Sequence, residues 1–206
     1  MGDLLIRRRE LILDGNAPLP EWDYEWDYTK GLPTATGWTK ETLGTTTEAI
    51  ESTYLKVTVK GASGNYIRYK NNDYLVNKGV IEVQFKGVTS NNIGFRVSIS
   101  NGTSGLAIRH QYSSSYKGIY LLDNATFSNC TKLVTSSSAT TTYTVRLEID
   151  NGVGQVYIND SLKASDVDLS TIVVNNNLTM FQFNESSTGT VTGRFYHVRL
   201  KLNRTS

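Results

Sequence analysis

Glu148-Ile149-Asp150 places two carboxylates on alternate positions of an extended segment, within Thr140–Ala164 (TTTYTVRLEIDNGVGQVYINDSLKA). Alternate residues of a strand share a face, and two carboxyl groups about 5–5.5 Å apart can serve as acid and nucleophile in glycoside hydrolysis. No third acid follows here. Gly152 holds that position and Asp150 abuts the turn, so the pair reads as a polar strand end. The chain has two histidines and one cysteine. His110 falls in phase with Leu106 and Ile108, which makes it a buried or edge residue rather than a base. Cys130, in Asn129-Cys130-Thr131, has neither a nearby histidine nor nucleophile-elbow glycines, and reads as a semi-buried thiol. So few soft ligands give no metal set. Asp123 and Asp160 sit in turns without an Asp-x-Asp-x-Asp-Gly run. No metal and no cofactor is expected, and none of these residues is assigned a catalytic role.

Binding chemistry is better represented. Arg96, Arg109 and Gln111 lie on outward positions of predicted strands, and Tyr112 and Tyr116 lie in the adjoining loop. Arginine and glutamine offer fixed donors to hydroxyls, and tyrosine offers a ring for stacking on a pyranose. If the chain binds a glycan, these five residues are the expected contacts. A purely solvated face is the simpler reading of the same pattern. Trp22, Tyr24, Trp26 and Tyr28 alternate with Glu21, Asp23, Glu25 and Asp27. As a strand this has one aromatic and one acidic face. It is read as an edge strand whose rings cover the sandwich, in preference to a sugar platform.

The elements that must position these residues are strands. Val145, Leu147 and Ile149 alternate with Arg146, Glu148 and Asp150. The turn Asn151-Gly152 and the return run Gln155–Ile158 complete a hairpin signature. Further strands are expected at Tyr54–Lys60, Tyr66–Lys70, Gly79–Gly87, Ile93–Ser100, Gly105–Gln111, Gly118–Leu122, Leu178–Phe183 and Phe195–Leu202, with at most one helical turn at Ser165–Thr171. Phe95, Val97, Leu147, Ile158, Phe181 and Leu200 are the expected core. Many short strands at regular spacing predict an all-β, two-sheet antiparallel sandwich.

With 206 residues and a formal net charge of +2, one domain is expected, with neither nucleic acid nor membrane as partner. Leu4-Leu5-Ile6 precedes Arg7-Arg8-Arg9, the reverse of a signal peptide, so the chain is read as made and used without secretion. Residues 1–20 form an expected attachment arm and Pro linker, and 21–206 the sandwich. In the arm, Leu5, Ile6 and Leu11 need burial, while Arg7, Arg8 and Arg9 suit carboxylates on a partner.

IEVQFKGV, IGFRVSISNGTSGLAIRHQY, TYTVRLEIDNGVGQVYINDSLKA and MFQFNESSTGTVTGRFYHVRLKL, in that order, resemble the concanavalin A-like lectin/glucanase jelly roll, including laminin-G-like domains. The resemblance covers about residues 45–202 and implies a jelly-roll sandwich. Leu5-Ile6-Arg7-Arg8-Arg9-Glu10-Leu11 resembles the start of short virion proteins of tailed bacteriophages. Together they imply a non-enzymatic virion structural protein on a head or tail, assembled in the host bacterial cytoplasm. It would be homo-oligomeric, held by its arm to other virion proteins and able to bind host or mucosal glycans. The alternatives are a carbohydrate-binding module of a bacterial surface system and, third, a glucanase-like enzyme.

Overall fold

The computed structural model describes residues 22–61, 64–74, 78–87, 93–100, 105–112, 117–123, 130–135, 137–138, 140–169, 178–185 and 189–202. Its strands are β1 (Tyr24–Asp27), β2 (Thr39–Leu43), β3 (Thr45–Glu51), β4 (Tyr54–Gly61), β5 (Tyr66–Tyr74), β6 (Lys78–Gly87), β7 (Ile93–Ser100) and β8 (Gly105–Tyr112). They continue as β9 (Lys117–Asp123), β10 (Cys130–Val134), β11 (Thr142–Asp150), β12 (Val153–Ile158), β13 (Ser161–Asp168), β14 (Leu178–Glu185) and β15 (Gly189–Leu202). Two short 3-10 turns, Tyr28–Lys30 and Pro33–Thr36, link β1 to β2, and there is no α-helix among the described residues.

These strands form two antiparallel sheets, as the alternation predicts. The first runs β13-β12-β11-β6-β15-β4-β3, with β1 also on β15; the second runs β10-β9-β8-β7-β14-β5-β2. The β11–β12 hairpin turns on Asn151 (φ 50°) and Gly152 (φ 75°), the left-handed pair that a two-residue primed turn requires. The next turn uses Asn159 (φ 49°) and Asp160 (φ 60°). Asn159 carries its cost by bonding: its Oδ1 accepts from the Thr144 amide at 2.8 Å, and its own amide donates to the Thr144 carbonyl at 2.9 Å.

The core lies between the sheets. Phe95, Val97, Leu147, Ile158, Phe181 and Leu200 are all buried, so the inward phase of each parent strand is as expected. An aromatic line locks the layers together. Phe85 of β6 stacks on Phe95 of β7 with centroids 4.4 Å apart, Phe95 meets Phe195 edge-on at 5.5 Å, and Phe181 stacks on Tyr69 at 4.8 Å. Each fully buried ring of this kind contributes roughly 1.5–3 kcal/mol by leaving water. Trp26 joins the core, with its Nε1 donating to the Gly31 carbonyl at 2.7 Å. Its acidic neighbours turn outward, and Glu25 meets Arg199 at 2.8 Å. Within the expected Trp22–Tyr28 strand only Tyr24–Asp27 is strand, an edge strand on β15 that feeds Trp26 into the core.

Three expectations need correction. Ser161–Asp168 is strand, not a helical turn. Its polar sequence and the left-handed Asp166 (φ 58°) obscured a mostly exposed strand at the sheet edge. Strands β2, β3 and β10 were also not expected, for the same reason: they are short on buried apolar positions. Cys130 opens the edge strand β10 and is exposed, not semi-buried.

Candidate functional site

Register places seven residues in one row across the outer face of the second sheet: Lys132, Tyr120, Arg109, Arg96, Gln182, Arg68 and Glu41. The flanking rows add Ala107, Ser98 and Lys70 on one side, and Gln111, Gly94 and Tyr66 on the other. Among the described residues of these three rows, Glu41 is the sole acid. Arg68 Nε donates to Glu41 Oε2 at 2.6 Å, and Lys70 pairs with the same carboxylate. Glu41 sits on the edge strand β2, two strands beyond β14, and therefore does not reach the centre.

Arg96 and Arg109 are directly opposite each other on β7 and β8. Both guanidinium groups are largely withdrawn from water. Burial, then the neighbouring charge of Arg68, lowers the pKa of Arg96. Burial, then the charge of Arg96, brings Arg109 down to about 10. Both remain cations at neutral pH. The Nε of Arg96 is buried and has no hydrogen-bond partner among the described residues. Arg68 stands over the Tyr66 ring at 4.6 Å, while Tyr120, with Lys132 over its ring at 5.5 Å, is itself buried with Ala107 and Leu122.

The structure thus brings Arg96 and Arg109 together. Gln111 lies two positions along β8 in the same register phase, opposite Gly94 and Gly118. Tyr112 is not in a loop. It is the last residue of β8, opposite Ile93 and Lys117, in phase with His110 and out of phase with the arginines. Tyr116 lies outside the described residues, as do Leu5, Ile6, Arg7, Arg8, Arg9 and Leu11. Sequence reading missed Arg68, Tyr66 and Tyr120. The alternation of Tyr66, Arg68 and Lys70 against Ile67 and Tyr69 carries the signal for the first two.

The outer face of the first sheet has a different electrostatic design. One row reads Glu25, Arg199, Glu82, Arg146, Tyr157, with alternating charge. Glu82 Oε1 is 2.9 Å from His197 Nε2 and 3.5 Å from Arg199 Nη1. Arg146 Nε meets Glu148 at 2.9 Å, and its Nη1 donates to Asp160 at 2.8 Å. Burial raises the Glu82 pKa, but the His197 hydrogen bond and the charges of His197, Arg199 and Arg146 outweigh it, and the carboxyl is held below its usual range. Every carboxylate named here has a cation beside it. Of the pair whose spacing suggested hydrolysis, Glu148 meets Arg146 on this face, although burial raises its pKa, and Asp150 follows in the same phase at the end of β11.

No family model and no curated protein sequence matches the chain. Solved structures do. The Crh5 transglycosylase aligns with a TM-score of 0.68 at 11% identity, over 89% of this chain and 85% of that one. The Bacillus licheniformis β-glucanase aligns at 0.63 and 12%, over 90% and 100%. The carbohydrate-binding module CBM66 from Bacillus subtilis aligns at 0.53 and 15%, over 81% and 96%. The chain has the concanavalin A-like jelly-roll fold. These neighbours overturn one expectation. The chain was read as non-enzymatic, yet the structures similar to it include a transglycosylase and glucanases, so this jelly roll gives no ground for excluding catalysis. The absence of a local carboxylate motif does not decide the matter, because a sheet can bring together side chains from several strands.

Proposed function

We propose that this jelly roll binds saccharide on the outer face of its second sheet, through Arg96, Arg109 and Arg68 with Tyr66 beside them. One observation carries the reading. The two outer faces of the same sandwich differ in kind: the first sheet's central row is neutralised by its own alternating charges, while the second sheet's centre sets arginine against arginine. Like charges directly opposite on neighbouring strands are destabilising, and a bound group that accepts from the guanidinium fork of Arg96 would offset part of that cost. Forked donors beside a ring are the equipment of a sugar site. The fold's neighbours include a carbohydrate-binding module, a transglycosylase and a β-glucanase, which supports a saccharide as the ligand. Binding is the step that a recognition module and a glycan-acting enzyme share.

The setting is proposed from the arm. Residues 1–20 tether the domain to other proteins of a tailed-phage particle, and copies of the chain assemble together; Leu5, Ile6, Arg7, Arg8, Arg9 and Leu11 make the attachment. This rests on the sequence of the arm alone. Deleting residues 1–18 should abolish incorporation into particles and leave the unfolding midpoint in place. A lower midpoint would make the arm part of the sandwich.

The binding reading is tested on a glycan array with multivalent protein. Wild type and Lys163→Ala, which lies on the exposed strand β13, should give the same pattern of signals. Arg96→Ala and Tyr66→Ala should lose it. A signal that survives both substitutions would place the site elsewhere.

A further inference from the structure

We infer that the outer face of the first sheet carries a second binding site, for a sulfate or phosphate oxyanion, between Lys86 and Arg194 with Lys56 beside them. It is independent of the saccharide face proposed above, which lies on the other sheet.

The sheet that balances Arg199 against Glu82 sets three cations side by side beyond the His197–Gln84 pair. Arg194 of β15 is directly opposite Lys86 of β6 on one side and Lys56 of β4 on the other. Their neighbours along the strands, Phe195, Phe85 and Leu55, form a buried row of their own, so the three cations face outward. Adjacent strands lie about 4.8 Å apart, which puts three positive charges within roughly 10 Å. Like charges directly opposite destabilise a ladder.

The chain answers this row with little negative charge. Glu51, on the edge strand β3, accepts from Lys56 Nζ at 3.0 Å and from Tyr54 Oη at 2.6 Å, and Arg194 reaches that carboxylate by charge alone. Glu48 of the same strand turns to Lys40 and Tyr69 instead. Asp160, in the turn at this end of β12, is held by Arg146. Lys86 has Thr142 on its other side. The connections at this end of the sheet, residues 62–65, 88–92, 135–141 and 186–188, contain neither aspartate nor glutamate, so they offer Lys86 and Arg194 no carboxylate.

Arg194 is arranged to donate. Its guanidinium lies over the Tyr54 ring at 4.2 Å, which orients its plane, and no acceptor among the described residues takes its Nε–H. The side chain is half-buried, so an oxyanion can approach it from solvent while part of the screening water is kept away. Such a group accepts from the Arg194 guanidinium and the Lys86 ammonium together and offsets the excess charge of the row. A neutral hydroxyl would accept one bond and leave the repulsion in place.

The test is an NMR titration of the labelled full chain at constant ionic strength, with chloride exchanged for sulfate or for phosphate, and separately with dextran sulfate against dextran. The Nε–Hε signal of Arg194 and the backbone amide of Lys86 should shift together and saturate with at least one of the three anionic probes, and dextran should leave them in place. Saturation by a free ion makes the ion itself a sufficient ligand; saturation by dextran sulfate alone makes the ligand a sulfate group carried on a polymer. Lys86→Gln should weaken the binding by about tenfold or more. Lys163→Gln, which removes the same charge from the exposed strand β13, should leave it unchanged. Equal weakening in both variants, or equal movement of Arg146 and Arg199, would mark a diffuse ion atmosphere and overturn the inference. So would the absence of saturation with all three anionic probes, whatever the glycan array shows for the second sheet.

Discussion

Arg96 and Arg109 face each other across the β7–β8 ladder, with like charges opposed on the outer surface of a sheet whose neighbouring rows hold a single carboxylate among the described residues. A cross-strand pair of opposite charges would contribute roughly 0.2–1 kcal/mol, and a like pair costs a comparable amount. Arg96→Gln should therefore raise stability by a few tenths of a kcal/mol to about 1 kcal/mol while weakening saccharide binding. Urea unfolding measures the first effect and the glycan-array signal the second. A clear loss of stability would instead make Arg96 a structural residue.

The first sheet should respond in the opposite sense. Glu82 is 7% exposed and meets His197, Arg199 and Arg146. Removing one partner of a fully buried ion pair costs about 3–5 kcal/mol. Arg146 and Arg199 keep more than a fifth of their side-chain surface in water, so the expectation for Glu82→Ala is lower, about 2 kcal/mol. Because its pKa is depressed in the folded state, the stability Glu82 contributes is present above the ordinary carboxylate range and is lost as pH falls through its lowered value. Urea titrations of wild type and Glu82→Ala should converge in strong acid. Curves that stay parallel down to pH 2 or so would contradict this.

His110 gives a second, separate acid transition. It is 1% exposed, packed against Phe85, Phe95 and Tyr143, and neither ring nitrogen meets a described partner. Burial brings its pKa from 6.5 down to about 4. The unfolded chain therefore takes up the proton first, and stability falls as pH drops from about 6.5 to about 4, by up to roughly 3 kcal/mol. His110→Phe should keep its midpoint across this window, whereas wild type should lose several degrees. Identical pH profiles for the two proteins would contradict a neutral buried imidazole.

Leu147 tests the packing. It is 2% exposed on β11, in the core between the sheets. Leu147→Ala should cost about 2–5 kcal/mol in urea unfolding. A change below about 0.5 kcal/mol would mean that β11 is paired one residue out of register.

What could be read from the sequence divides along the reach of the interactions. Alternation is local, so the inward phases of Phe95, Leu147 and Phe181 and the Asn151-Gly152 turn were legible. Which outward residues share a sheet is not local. Arg96, Arg109, Arg146 and Arg199 look alike as outward arginines, yet β7 pairs with β8 and β14 while β11 and β15 flank β6. The sequence therefore shows four polar positions but not that two are neutralised by Glu82 and its neighbours and two are opposed to each other. Arg68 joins the row only through β14, and the sequence separation hides it. Strand β13 was missed because edge strands need little apolar surface. Tyr112 was placed wrongly because β8 runs to its very end, which shifts that residue into the phase of His110.

The most direct measurement is the arginine side-chain Nε–Hε NMR spectrum of the full chain, titrated with the saccharide that gives the strongest signal on the glycan array. The signals of Arg68, Arg96 and Arg109 should shift together and saturate, while those of Arg146 and Arg199 stay in place. Movement of Arg146 and Arg199 alone, or no movement in either set, would contradict a saccharide site on the outer face of the second sheet.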